Sequence, residues 1–211
     1  MDLHDFQIVA ENYDYYARTL VTEQAHAQKI DFHLELAGEY GGSGIVDFTY
    51  DRTFSLAMIP ASGFMHLTTP EDQRKALSNI NRHLEIGGVL TLNTFDPHMG
   101  RIAENLDEAT EYRKRTEFDA PNGNRIELGE SVYYDPSTQL IKSVWQFAEF
   151  DRKNRKVKET EVPLRMRYTY RQELRYLLEL TGFRVEHLYG SYDRRDAVYP
   201  SGLVWVARRV Q

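Results

Sequence analysis

Apolar and polar positions follow two periods along the chain, and the switches between them mark its parts. From about Phe6 to Tyr40 the spacing predicts two helices. Asp31 caps the second, and Leu34, Leu36, Ala37 and Tyr40 form a loose apolar stripe. Gly41-Gly42-Ser43-Gly44 follows and reads as a linker. The run Phe54-Ser55-Leu56-Ala57-Met58-Ile59, closed by Pro60, is largely apolar and predicts a strand buried on both faces. Thr69 caps the next helix, with Pro70 at its first position and Glu71 and Asp72 at the positive end of its dipole. Ala76, Leu77, Ile80 and Leu84 are its buried stripe, and Gly87-Gly88 is its expected end. A second strand is predicted over Val89–Phe95. A strand, a helix and a strand at this spacing form a βαβ unit, so the two strands should run parallel.

The period then falls to two. Between about Arg125 and Tyr170 three alternating runs are separated by turns at Asp135-Pro136-Ser137 and Asp151-Arg152-Lys153-Asn154. Trp145 and Phe147 alternate with polar neighbours, as do Leu164, Met166, Tyr168 and Tyr170. An antiparallel sheet with one wet face is expected. Thr169 and Gln172 then predict a capping box, and Leu174, Leu177 and Leu178 line a helix that Gly182 ends. Two further strands, near 183–189 and 203–210, flank the polar loop 190–202 as a hairpin-like pair.

Composition narrows the chemistry. The 211 residues carry 26 Lys+Arg against 32 Asp+Glu, a net charge of −6, which argues against a nucleic-acid partner. There is no cysteine, which excludes disulfides, thiol nucleophiles and thiolate metal sites. The seven histidines lack metal-binding spacing, and no metal is expected. No apolar run is long enough for a membrane span, and MDLHDFQIVAENYDYY lacks the features of a signal peptide. A cytoplasmic protein acting on small molecules is the expectation.

The stretch from Phe54 to Leu67, through Pro60-Ala61-Ser62-Gly63-Phe64-Met65-His66, resembles the fourth strand and following loop of a class I S-adenosylmethionine (SAM)-dependent methyltransferase of the small-molecule branch. Thr69-Pro70-Glu71-Asp72-Gln73 and Arg82-His83-Leu84-Glu85-Ile86-Gly87-Gly88-Val89-Leu90 resemble the next helix and the entry to the fifth strand, with Ile86 where proline is usual. Asn93-Thr94-Phe95-Asp96-Pro97 fits the end of that strand, and Tyr13-Asp14-Tyr15-Tyr16 resembles the lid helix. The resemblance implies an α/β fold: a partial Rossmann-like sheet with an inserted antiparallel β-sheet. The expected parts are a helical lid over 1–42, a partial core over 45–124, the β insertion over 125–170, and a C-terminal helix and strands over 171–211 that complete the core sheet.

One departure stands out. In the family, the stretch resembling Asp31–Gly42 leads into the first strand and its glycine-rich loop, and an acidic residue ending the second strand holds the ribose. Here Ser43-Gly44 follows, and Ile45-Val46-Asp47-Phe48 already resembles the approach to the fourth strand. The pattern reads as a deletion closed at Gly42–Gly44. The fourth strand would then be an exposed edge, which predicts a homodimer, with exchange of the N-terminal helices as one route.

By resemblance the cofactor is SAM, with Tyr13, Tyr16, Pro60 and Ser62 as its contacts. Methyl transfer needs alignment and a base for the acceptor proton. His66 follows a strand's carboxyl end, where open α/β sheets bind ligands, and is the base candidate. Asn93 is the second catalytic candidate, and Phe95 and Asp96 face the same crevice on that rule. Phe95, Arg165, Arg167 and Tyr168 are candidate contacts for the small-molecule substrate. Two functions remain open: a methyltransferase, or a non-catalytic methyltransferase-like scaffold that dimerises or binds a small ligand.

Overall fold

The structure, a computed structural model, describes residues 46, 48–104 and 109–211. The two N-terminal helices expected before Tyr40, the lid tyrosines Tyr13 and Tyr16, and the Gly41–Gly44 junction lie outside the described residues. In chain order the elements are β1 (Phe54–Ile59), a 3-10 turn (Gly63–His66), α1 (Pro70–His83), β2 (Leu84–Phe95), α2 (Met99–Glu104), β3 (Arg113–Asp119), β4 (Arg125–Asp135), β5 (Leu140–Phe150), β6 (Lys156–Arg167), α3 (Arg171–Leu180), β7 (Phe183–Tyr189) and β8 (Gly202–Arg209). They fall into two compact units. Among the described residues, one comprises 46, 48–103, 137–140 and Met166–Gln211, and the other holds 104, 109–136 and Ile141–Arg165.

The first unit contains a four-stranded sheet in the order β1-β2-β8-β7. β1 and β2 are parallel, as the βαβ spacing predicts, and β8 is antiparallel to both β2 and β7. α1 starts as expected: the Asp72 amide donates to Thr69 Oγ1 over 3.1 Å, and Pro70 takes the first turn. It ends at His83, before the glycines. The reason is the register. Phe54 pairs with Leu84, but the next regular partner, Leu56, pairs with Val89. β2 absorbs the extra residues at Gly87, which has φ +84°, and Gly88, where a Cβ would sit 2.9 Å from the Glu85 carbonyl oxygen. The glycines permit an irregular strand entry; they do not stop a helix. At α3 the cap is displaced by one residue from the expected pair: Glu173 accepts from the Tyr170 amide over 3.2 Å.

One face of this sheet carries Ile59, Leu90, Leu92, Leu203, Trp205 and Ala207. These pack with Ala76, Leu77 and Ile80 of α1 and Leu174 and Leu178 of α3. Each large side chain buried here contributes about 1.5–3 kcal/mol. The buried indole of Trp205 donates to Thr94 Oγ1 over 3.0 Å, so its polar atom is satisfied inside the core. The opposite face is only partly covered. Register places Leu56, Met58, Thr91, Asn93, Val204 and Val206 on it. Leu56 and Met58 are each 49% exposed, which corrects the expectation of a strand buried on both faces. Among the described residues β1 ends the sheet and no strand pairs with its outer edge, so it lacks the second layer a central parallel strand has.

The second unit contains the sheet β3-β4-β5-β6. It begins at Arg113, earlier than the expected 125, because β3 is an additional strand antiparallel to β4. Phe118, Ile126, Leu128, Phe147, Val162 and Leu164 form its apolar cluster. Glu117 and Glu127 lie directly opposite each other, which would repel. Lys114 and Arg125 each bond both carboxylates and offset the repulsion.

Candidate active site at the strand ends

Because β1 and β2 are parallel, their carboxyl ends lie at the same end of the sheet. Phe95 pairs with Gly202, so the start of β8 and the loop 190–202 before it lie there too. β1 leaves through a tight turn. Ala61 and Ser62 both adopt left-handed conformations, with φ of 50° and 59°. Such backbone is costly for non-glycine residues and is concentrated at functional sites. The Gly63 amide donates to the Pro60 carbonyl over 2.8 Å, and the Met65 amide donates to the Ser62 carbonyl over 2.9 Å. Buried Phe64 and Met65 anchor the turn, and His66 is left exposed at its end.

At the end of β2, Asn93 and Phe95 are half-buried and Asp96 is 5% exposed. Asp96 is held by Arg171 at the start of α3. Arg171 Nε donates to Oδ1 over 2.8 Å and Nη2 to Oδ2 over 2.6 Å. These bonds raise the Arg171 pKa further above its usual range. The Ser201 amide also donates to Asp96 Oδ2, over 2.9 Å, and Arg171 Nη1 donates to the Ala197 carbonyl over 2.8 Å. Asp96 therefore fixes loop 190–202, a role its position at a strand end does not announce.

Tyr192 of that loop donates to Asn93 Oδ1 over 2.9 Å. Desolvation pushes the Tyr192 phenol above the ordinary tyrosine value, and the bond to Asn93 opposes the shift. Tyr199 donates to the Pro97 carbonyl over 3.0 Å and accepts from the Met99 amide over 3.1 Å. Sequence reasoning missed Arg171, Tyr192 and Tyr199. Their only signal was three polar or aromatic residues near a strand end, without a motif.

The remaining candidates are placed differently. Arg167 is 7% exposed. It donates through Nη1 to the Thr138 carbonyl over 2.6 Å, and through Nη2 to Gln139 and to Glu173 Oε1. Tyr168 is fully buried, with its ring edge-on to Tyr170. Both sit inside the first unit, whereas Arg165 is exposed on β6 in the second. No helix among the described residues is long and apolar enough to cross a membrane.

No protein-family profile matches the sequence, and no curated protein matches it. Solved structures do share the fold. The CcbJ methyltransferase from Streptomyces caelestis superposes with a TM-score of 0.65 at 17% identity, over 78% of this chain and 65% of that one. An S-adenosylmethionine-dependent methyltransferase from Clostridium acetobutylicum gives 0.62 at 11% identity, over 90% and 73%. SAM-bound CalS10, an amino pentose methyltransferase from Micromonospora echinaspora, gives 0.59 at 16% identity, over 78% and 62%. The chain spans less than two thirds of the length of CcbJ and of CalS10. With its β1-β2-β8-β7 sheet and an added antiparallel sheet, the chain has the α/β fold of the class I SAM-dependent methyltransferases.

Proposed function

We propose that the chain is a SAM-dependent methyltransferase-type protein acting on a small-molecule acceptor at the carboxyl ends of β1 and β2. The observation that carries this reading is the pairing of a strained turn, Pro60–Gly63, with a strand end whose Asn93 is held by the loop 190–202. His66 is the group to take the acceptor proton, Asn93 binds the acceptor and Phe95 packs against it. Two neighbours, CalS10 and the sugar N-methyltransferase KedS8, are named for sugar substrates, and a compact polar acceptor of that size suits this reading. A cytoplasmic setting is part of this proposal.

The described residues do not fit the cofactor unaided. Pro60 and Ser62 offer one wall, but the Gly63 and Met65 amides are already paired within the turn. The family's glycine loop and ribose-binding acid have no counterpart among the described residues. Tyr13 and Tyr16 remain proposed lid contacts to SAM. Arg165, Arg167 and Tyr168 remain proposed contacts for the small-molecule acceptor.

A second reading is favoured by the outer edge of β1, where Leu56 and Met58 are half exposed. The chain is then a non-catalytic scaffold that pairs with a second copy along this edge, forming a homodimer. Titration calorimetry with SAM and its demethylated product, on protein of known mass and oligomeric state, separates the two. Saturable binding at micromolar ligand supports the enzyme; no binding at millimolar ligand overturns it for this chain.

A further inference from the structure

Asn93 is a carboxamide, and a carboxamide shows a ligand either an acceptor oxygen or a donor nitrogen, depending on its rotation. In this structure the oxygen is turned to Tyr192. Tyr192 donates to Oδ1 over 2.9 Å, and among the described residues none accepts from Nδ2. The loop that carries Tyr192 is fixed by the buried Asp96, by Arg171 on the Ala197 carbonyl and by Tyr199 on the Pro97 carbonyl. The Gly190 amide also donates to the Arg195 carbonyl over 2.8 Å, closing the loop on itself. The backbone on either side of Tyr192 is thereby held, and from it the phenol, 61% exposed, reaches Asn93.

Resting on the acceptor-binding reading above, we infer that Tyr192 is a positioning residue. By donating to Asn93 Oδ1 it leaves the Nδ2 amide as the ligand-facing group, so the site selects an acceptor that presents an oxygen or nitrogen lone pair. A ligand offering only N–H donors at that point meets another donor. The phenolate form of Tyr192 accepts and cannot donate, so ionisation turns the carboxamide over and inverts the preference.

Two probes of matched shape test this by NMR: cyclohexanol, which has lone pairs, and cyclohexylammonium at neutral pH, which has only donors. In the wild-type chain cyclohexanol binds in preference and shifts the Asn93 side-chain amide. Tyr192→Phe loses that preference by about tenfold, the worth of one well-placed hydrogen bond. Asn93→Asp, whose carboxylate still accepts from Tyr192, favours the ammonium probe. Equal preference in wild type and Tyr192→Phe overturns the inference. If neither probe binds the wild-type chain, the acceptor-site reading fails, and the positioning role is judged on the amide alone. The Asn93 amide resonances should titrate with Tyr192, above the ordinary tyrosine range, and that titration should vanish in Tyr192→Phe. An amide that does not titrate overturns the inference by itself.

Discussion

Asp96 and Arg171, 75 positions apart, form a two-bonded ion pair of 2.8 and 2.6 Å that ties the end of β2 to the first residue of α3. The Asp96 side chain is 2% exposed and that of Arg171 is 29% exposed. Removing one partner of a buried pair leaves the other charge without compensation. Asp96→Ala should therefore cost on the order of 3 kcal/mol. It also releases the Ser201 amide, so loop 190–202 should loosen. Urea unfolding, read as a lower midpoint at unchanged m-value, checks the first effect, and amide exchange of Ser201 checks the second.

Leu56 and Met58 stand half exposed on the edge strand, so little packing is lost when they change. Leu56→Lys with Met58→Lys should alter stability by only about 0.5 kcal/mol per site. If β1 is the contact between copies, the same pair should convert a dimer to a monomer in light scattering, since edge lysines block strand pairing. A dimer that persists in the double variant would place the contact elsewhere.

Gly182 ends α3 with φ +85°, and a Cβ there would lie 2.8 Å from Asn81 Nδ2. That nitrogen donates to the Gly182 carbonyl over 3.2 Å. Gly182→Ala must hold left-handed backbone and push Asn81 away, at a cost of about 1–2 kcal/mol. Thermal unfolding should show the loss, and Asn81→Ala in the same background should remove only its clash component.

Acid should weaken the fold through identifiable carboxylates. Glu117 is held below its usual range by hydrogen bonds from Lys114 and Arg125, and Glu127 by bonds from Arg125 and Lys114. Glu149 is lowered by Asn122 and Asn124, Asp151 by the Arg155 amide and side chain, and Glu186 chiefly by Arg208. In each case the folded-state pKa lies below the unfolded value. Their contribution is complete above the unfolded values near about pH 4 and is lost as pH falls through the folded ones. The urea midpoint should therefore decline on acidification below about pH 5, and Glu186→Gln should flatten part of that decline.

Much of this arrangement was legible where a local rule and a tertiary need agree. Thr69 and Pro70 begin α1 because cap and first turn demand those residue types, and Gly182 ends α3 for a backbone reason. The misreadings came where a distant partner overrides the local pattern. Gly87-Gly88 looks like a helix stop, yet Leu84 pairs with Phe54 and pulls the glycines into a strand. β3 is rich in charge and lacks an apolar alternation over most of its length; its place comes from the ladder to β4. Nothing local to Asp96 points to its partner Arg171. Tyr192 sits in a polar loop whose sequence gives no hint that it reaches Asn93.

The position of β8 governs the order in which the first unit can form. β8 lies between β2 and β7, and its Trp205 meets Thr94 across 111 positions of chain. Until 202–209 are available, β2 and β7 have no common neighbour and the α1–α3 core lacks Leu203, Trp205 and Ala207. The β3–β4 ladder, by contrast, closes across a short turn near Asn122. Closing a distant contact costs loop entropy before it returns any stability, so the two sheets should form on different clocks. A growing chain would hold its β3–β4 hairpin well before the strand that joins the two halves of the other sheet has been made.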